Sequence, residues 1–366
     1  VNASGAIETM AADTPRFDYD PVTLACKGLL VEGQRTNLIL NSADFSSSWT
    51  IASATLSANN ANAPDGTLSA DLITATAGTA VVTQVRTKAA SPATYAGSLY
   101  LKGDSSSFAL SLDDGTTANR GRISVNLNTG TFTTQQEGTF TILGADAVPA
   151  GGGWYRVYLV VTTNSTTTIR FRNFFTALGA QVLFWGAQLE ESDSPTSYIA
   201  TGASQVTCDP DIATITGANF SDWWQAGLGG ALVQTLPSTA SGVRPLIQFD
   251  DNTADNIIAL RGNTTNPELY IRSGGVDQAT IDAGTIAANT AYSLTGWWQT
   301  NFCAARQNTS ARVVDTSATI PTVTQARLGS DGANYLNGHL ATINYYDQFS
   351  GQIYTRRKNK VIFNVI

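Results

Sequence analysis

The chain has 366 residues, 42% of them hydrophobic and 9% aromatic, with 13% charged and a formal net charge of −7. Charge is scarce beside the roughly 25% of an ordinary soluble domain, while apolar material is ample for a core. The acidic balance argues against recognition of a nucleic-acid backbone, which needs clustered Lys and Arg, and against basic attachment to a membrane surface. The single histidine, His339, leaves little for a His-ligated metal or a His-based triad.

Length alone suggests two or three domains. The first forty residues carry Pro15 and Pro21 without sustained alternation and read as an extended arm and linking segment, 1–40. The chain opens on Val1, so residues are expected to precede it, and no basic-plus-apolar leader follows. No run reaches the ~18 apolar residues of a membrane span, so membrane insertion is not expected. Cys26, Cys208 and Cys303 are far apart without a CxxC pair. They read as unpaired, buried small hydrophobes, not a disulfide framework.

From residue 41 onward, strands are predicted nearly everywhere, with Gly-, Asn- and Thr-rich breaks about every ten residues. Ile123, Val125 and Leu127 alternate with Ser124 and Asn126 before the Asn128-Thr129-Gly130 turn, which predicts one buried and one wet face. Phe108, Leu110 and Leu112 alternate likewise. Trp154 to Val161 is apolar on both faces and reads as a central strand. The Gly151-Gly152-Gly153 run before it lacks the Lys-Ser/Thr of a phosphate loop and reads as a turn. Asp113-Asp114-Gly115 also reads as a hairpin turn. The polar stretch 192–210 marks a boundary near residue 205. Beyond it, strands are predicted at Leu246 to Phe249, Asn256 to Leu260, Glu268 to Arg272, Ala291 to Trp298 and Leu336 to Tyr346. The expected fold is all-β: two tandem antiparallel β-sandwiches, 41–205 and 206–366, behind the arm.

Several clusters invite a functional reading. Asp250, Asp251, Asn252, Asp255 and Asn256 form an oxygen-rich loop of a kind that can hold Ca²⁺, though without the glycine and terminal glutamate of an EF-hand; a plain turn is the alternative. Trp223-Trp224 and Trp297-Trp298 are candidate sugar-stacking groups. If each pair lies in a strand, only one member can face a ligand, and core packing or a subunit interface is the alternative. Arg35 can hold a carboxylate or carbonyls bidentately, with Glu32 or Glu190 as candidate partners. Asn37 and Asn41 suit turns. Together Glu32, Arg35 and Asn37 read as a structural latch. His339 reads as an ordinary strand-end residue, and Arg356, Arg357, Lys358 and Lys360 as a solvated or subunit-contacting tail.

Three blocks, PRFDYDP (15–21), GLLVEGQRTN (28–37) and NSADFSSSW (41–49), resemble a segment of bacteriophage virion proteins of the tail or fibre type. FWGAQLEESDSPTSYI (184–199) resembles the stretch that closes a carbohydrate-binding-module-like jelly-roll in such proteins. More loosely, RLGSDGANYLNGHLATINYYDQF (327–349), with Ala291 to Trp298, resembles the laminin-G/concanavalin-like lectin sandwich.

These resemblances imply a virion structural protein, assembled in the host cytoplasm and contributing to adhesion on a host-surface glycan. They also imply a homo-oligomer, by analogy a trimer, in contact with other virion proteins. The alternatives are a virion-borne glycan depolymerase and a bacterial surface adhesin. Glycan hydrolysis uses carboxylates about 5–5.5 or 6.5–9.5 Å apart. The six glutamates, Glu8, Glu32, Glu137, Glu190, Glu191 and Glu268, form no E-x-D-x-x-E arrangement, so no enzyme is expected. Ile7, Met10, Phe17, Tyr19, Val22 and Leu24 of the arm are apolar groups that a neighbouring subunit would cover, unless the arm folds back on its own sandwich.

Overall fold

A computed structural model of the chain describes residues 1–105, 107–116 and 118–347 and the backbone of Lys360–Asn364. The chain forms two units: Val1–Thr9, Asp20–Leu24 and Gln34–Asp209 make the first, and Met10–Tyr19, Ala25–Gly33 and Pro210–Ile366 the second.

The first unit is a sandwich of two six-stranded sheets. Sheet I runs, edge to edge, Phe132–Glu137, Arg120–Val125, Phe108–Asp113, Thr168–Thr176, Thr79–Thr87 and Thr50–Ala52. Sheet II runs Thr141–Pro149, Tyr155–Thr162, Thr94–Gly103, Gln181–Glu191, Leu68–Ala75 and Ala54–Asn62. All neighbours are antiparallel. The predicted apolar faces are realised: Phe108, Leu110, Leu112 and Ile123 of sheet I meet Leu99, Leu101, Val157 and Phe184 of sheet II in one buried cluster, but the wet face expected of Phe108–Asp113 is covered too, with Ala109, Ser111 and Asp113 buried. A short pair, Arg35–Asn37 with Val206–Cys208, joins the ends of this unit. The triple glycine is a turn with all three residues at positive φ, into which Lys102 Nζ donates a 2.7 Å bond to the Gly152 carbonyl.

The second unit is also a sandwich. Sheet III contains Phe17–Tyr19, Cys26–Val31, Gly338–Tyr346, Leu228–Pro237, Tyr292–Gln299, Phe302–Gln307 and Val313–Asp315 in that order, with Lys360–Asn364 also pairing to Gly338–Tyr346. Sheet IV contains Thr214–Thr216, Gln325–Leu328, Val243–Asp250, Ile257–Asn263, Asn266–Ser273 and Val276–Asp282. These neighbours too are antiparallel. Val233, Leu294, Trp298 and Ile343 from sheet III and Ile247, Phe249, Leu260 and Leu269 from sheet IV fill its core. Gly296 is needed there, because a Cβ would lie 2.5 Å from Leu260 Cδ2.

The first forty residues are more structured than their sequence suggested. Pro15 and Pro21 flank a strand without entering it; Phe17–Tyr19 pairs with the nearby Cys26–Val31, while Cys26–Val31 and Arg35–Asn37 also find partners distant in sequence, in Gly338–Tyr346 and Val206–Cys208. Ile7 packs against the first unit's small cluster of Ala63, Ala70, Tyr100, Trp154 and Trp185, and Phe17 against the second unit's core. Met10, Val22 and Leu24 remain exposed. No cysteine is in a disulfide; only Cys303 is buried, whereas Cys208, in a short edge pair, is exposed. The basic stretch Arg356, Arg357 and Lys358 lies outside the described residues, as does the side chain of Lys360. No helix among the described residues is long and apolar enough to cross a membrane.

Candidate functional site

The strand Tyr292–Gln299 splits its tryptophan pair as alternation requires. Trp298 points inward, 1% exposed, with its ring 5.5 Å from Phe249 and 6.1 Å from Trp224. Trp297 lies half-buried on the outer face of sheet III. It stands directly opposite Gly230, whose other neighbour is Tyr346. A Cβ on Gly230 would come 2.9 Å from Trp297 Cδ1, so the glycine is what admits the indole against the sheet. Arg306 lies over the same indole, its Cζ 5.6 Å from the ring. An indole on a sheet face, flanked by a tyrosine and an arginine, can stack the apolar face of a sugar ring.

Trp223 and Trp224 behave differently from the expectation. They follow the four-residue helix Ala218–Ser221 and do not lie in a strand, so adjacency does not send them to opposite faces. Both turn toward the core: Trp223 packs 4.9 Å from Tyr345, and Trp224 lies 4.7 Å from Phe249 and 5.1 Å from Phe220. Their places in this aromatic cluster, with Trp298, are those of packing groups. Of the four candidates, Trp297 alone faces outward.

The oxygen-rich loop is a turn, and its carboxylates do not converge. Asp250 is 1% exposed and paired to Arg327 at 2.9 Å, with further bonds from Gln248 Nε2 at 2.9 Å and Gln325 Nε2 at 2.5 Å. Asp251 caps its own turn through Thr253 and Asn256. Hydrogen bonds from those groups hold its carboxyl below the usual range. Asp255 is exposed at the far side of the turn, where its carbonyl accepts the Gly275 N–H. Among the described residues no three His, Cys, Asp or Glu side chains are placed to hold a metal. Asp250, one of the calcium candidates, is thus held by Arg327.

Arg35 and Glu32 have separate partners. Arg35 donates to Ser192 Oγ at 3.2 Å and to the Gln34 carbonyl at 2.7 Å, and reaches neither Glu32 nor Glu190. Glu32 instead pairs with Arg16 at 3.0 Å, and Arg16 pairs with Asp211 as well. Asp211 Oδ2 accepts the Glu32 N–H at 2.8 Å, and the Asp211 N–H returns a bond to the Glu32 carbonyl at 2.9 Å. Burial works against the Arg16 charge, but Glu32 and Asp211 outweigh it and hold the guanidinium more firmly protonated than usual. This ion cluster, within the second unit, was not anticipated; its members are 16 and 195 positions apart.

Asn37 ties the first unit. Fully buried, it donates to the carbonyls of Ala187 and Ile199 and accepts the N–H groups of Ile39 and Leu189. Asn41 adopts a left-handed turn conformation at φ 48°, and Ser42 Oγ bonds Tyr198 Oη at 2.7 Å. The blocks 28–37 and 41–49 thus meet the block 184–199 in space. Glu190 is buried there too, accepting from Thr196 N, Thr196 Oγ1 and Gln188 Nε2. Burial pushes its carboxyl above the usual range, against those hydrogen bonds and the charge of Arg156. His339 binds Asp18 at 2.8 Å in the second unit.

No protein-family model matches the chain, and no curated protein matches it either. Among solved structures, it is similar to domains LG4-5 of the mouse laminin α1 chain, at 10% identity and TM-score 0.26, over 72% of this chain and 86% of that one. It is also similar to the LG1-3 region of the laminin α2 chain, at 8% identity and TM-score 0.27, covering 73% and 60%. The extracellular region of zebrafish Gpr126/Adgrg6 matches at 8% identity and TM-score 0.26, covering 74% of this chain and 34% of that one.

Proposed function

We propose that the chain is a structural protein of a bacteriophage virion, a tail- or capsid-fibre component that contacts a host-surface glycan and does not cleave it. It is assembled in the host cytoplasm, as a homotrimer alongside other virion proteins. Three of the blocks that resemble virion proteins support the structural part of this reading, because the end of 28–37, at Asn37, and the start of 41–49, at Ser42, meet 184–199 in the first sandwich. The observation that carries the adhesive part is Trp297, presented outward beside Gly230. Binding without turnover is supported by the fate of buried carboxylates. Asp113 and Glu268 are paired to arginines, as Asp250 is to Arg327. Asp71 accepts the backbone N–H groups of Phe45 and Asn59.

The test is affinity electrophoresis in gels containing host-surface polysaccharide, with Trp297→Ala beside the unaltered chain. Retardation of the unaltered chain, weakened at least tenfold in the variant, is expected, with an unchanged melting temperature and no oligosaccharide released. Release of oligosaccharide, or equal retardation of both proteins, would overturn the reading.

A further inference from the structure

The outer face of sheet I carries a charge pattern that the Trp297 face does not explain. Two Arg-x-Arg pairs, Arg120 with Arg122 and Arg170 with Arg172, lie in strands, so each pair shares one face. The strand Phe108–Asp113 runs between them and sets the register. Asp113 stands opposite both Arg120 and Arg170, and Ser111 opposite both Arg122 and Arg172. Gln135 and Glu137 continue these rows on one side, Thr83 and Val85 on the other.

The two rows differ in their balance of charge. In the first, Glu137, Arg120, Asp113 and Arg170 alternate in sign, with pairs at 2.6 Å for Arg120–Glu137 and 2.8 Å for Arg170–Asp113. The second row reads Gln135, Arg122, Ser111, Arg172, Thr83 and contains no carboxylate. Arg122 donates to Gln135 Oε1, and neither Arg122 nor Arg172 has an ion pair among the described residues. Both guanidinium groups are gathered over one ring. Phe174, two residues beyond Arg172, lies 5.6 Å from Arg122 Cζ and 4.9 Å from Arg172 Cζ. All three side chains are half-buried. Burial, then repulsion from Arg120, weakens the hold of Arg122 on its proton, and burial, then Arg170, does the same for Arg172. An incoming anion relieves that repulsion.

Sheet IV provides the contrast. Its arginines Arg327, Arg261 and Arg272 each have a carboxylate, in Asp250, Glu268 and Asp277, and Arg244 donates to the backbone carbonyls of Ser241, Gly242 and Thr264. Arg122 and Arg172 share one ring and feel Glu137 and Asp113 only from the neighbouring row, without an ion pair of their own among the described residues, in a protein of net charge −7.

The geometry points to a second binding site on sheet I for an acidic polysaccharide, whose carboxylate is gripped by Arg122 and Arg172 while a sugar ring rests beside Phe174. Planar guanidinium forks match a carboxylate in two parallel hydrogen bonds. Gln135, Thr133 and Thr83 on the same face can bond the sugar hydroxyls. A polynucleotide is disfavoured because its repeated phosphates need a wider basic surface than two arginines in one row.

The probe is a set of carboxylated polysaccharides, namely polygalacturonate, alginate, hyaluronate and polysialate, against neutral dextran and single-stranded oligo-dT. Binding is measured by biolayer interferometry on the full chain at low and high salt. Binding of at least one carboxylated chain is expected, weakening as salt rises and falling at least tenfold in R122Q/R172Q. Trp297→Ala is expected to leave this binding unchanged, which separates the site from the one above. Matching circular dichroism and melting of the double variant establish that it is folded. If it is not, R172Q alone carries the test with the same expected loss. Failure of every carboxylated chain to bind, equal binding of dextran, oligo-dT bound in preference, or binding indifferent to the folded variant would each overturn the site. The Trp297 reading would stand or fall on its own electrophoresis.

Discussion

Asn37 shows how much of this fold rests on one polar side chain. Its amide satisfies two carbonyls and two N–H groups, all belonging to segments that no ladder of sheets I and II would otherwise join. A buried group left without its partner costs about 1–3 kcal/mol, and Asn37→Ala orphans several at once. The expected loss is about 3 kcal/mol of unfolding free energy, read from the shift of the urea midpoint at unchanged slope. A shift under 0.5 kcal/mol, the roughly neutral effect of a surface substitution, would contradict this role. A turn at Asn41 was readable from residue type, and φ 48° agrees with it. Three of the four partners of Asn37, in Ala187, Leu189 and Ile199, lie 150 and more positions away and were not readable.

At the scale of elements, alternation was the informative signal, because a strand's two faces are decided locally by each residue's neighbours two positions away. It located the core faces of Phe108–Asp113 and Arg120–Val125 and separated Trp297 from Trp298. It does not apply at Trp223-Trp224, where a single helical turn replaces the strand; charge pairing read from the sequence likewise missed the partner of Glu32, which is Arg16 and not Arg35. The Arg-x-Arg pairs were not singled out from the sequence, and that they share a face with Phe174 follows from the register between strands. The strand Gln181–Glu191 also makes a prediction about pH. Burial raises the Glu190 carboxyl above the 4.5 of a free glutamate, so the folded state holds its proton more tightly than the unfolded state does. The stability that this proton contributes is present below the unfolded value and is lost as pH rises through the folded one. Glu190→Gln keeps an acceptor for Thr196 N and cannot ionise, so its stability should fall less than the unaltered chain's above pH 4.5. Parallel stability–pH curves for the two proteins would contradict this.

At the scale of the whole molecule, two sandwiches built from a chain with few charges suit a scaffold better than a reaction centre. Large β-faces bury apolar area on one side and leave polar ladders on the other. Part of the arm's expected subunit-contacting surface is already used within the chain, by Ile7 and Phe17, while Met10, Val22 and Leu24 stay exposed and available to a neighbour. The central claim, that this is a structural component of a virion, is tested most directly on virions made from the genome that encodes the chain. Purified particles would be subjected to quantitative mass spectrometry and to immunogold labelling with antibody against the folded protein. The expected result is a fixed copy number per particle, divisible by three, with label at one defined place on the tail or capsid. Absence of the chain from purified particles, with the protein recovered only from the lysate, would contradict the claim.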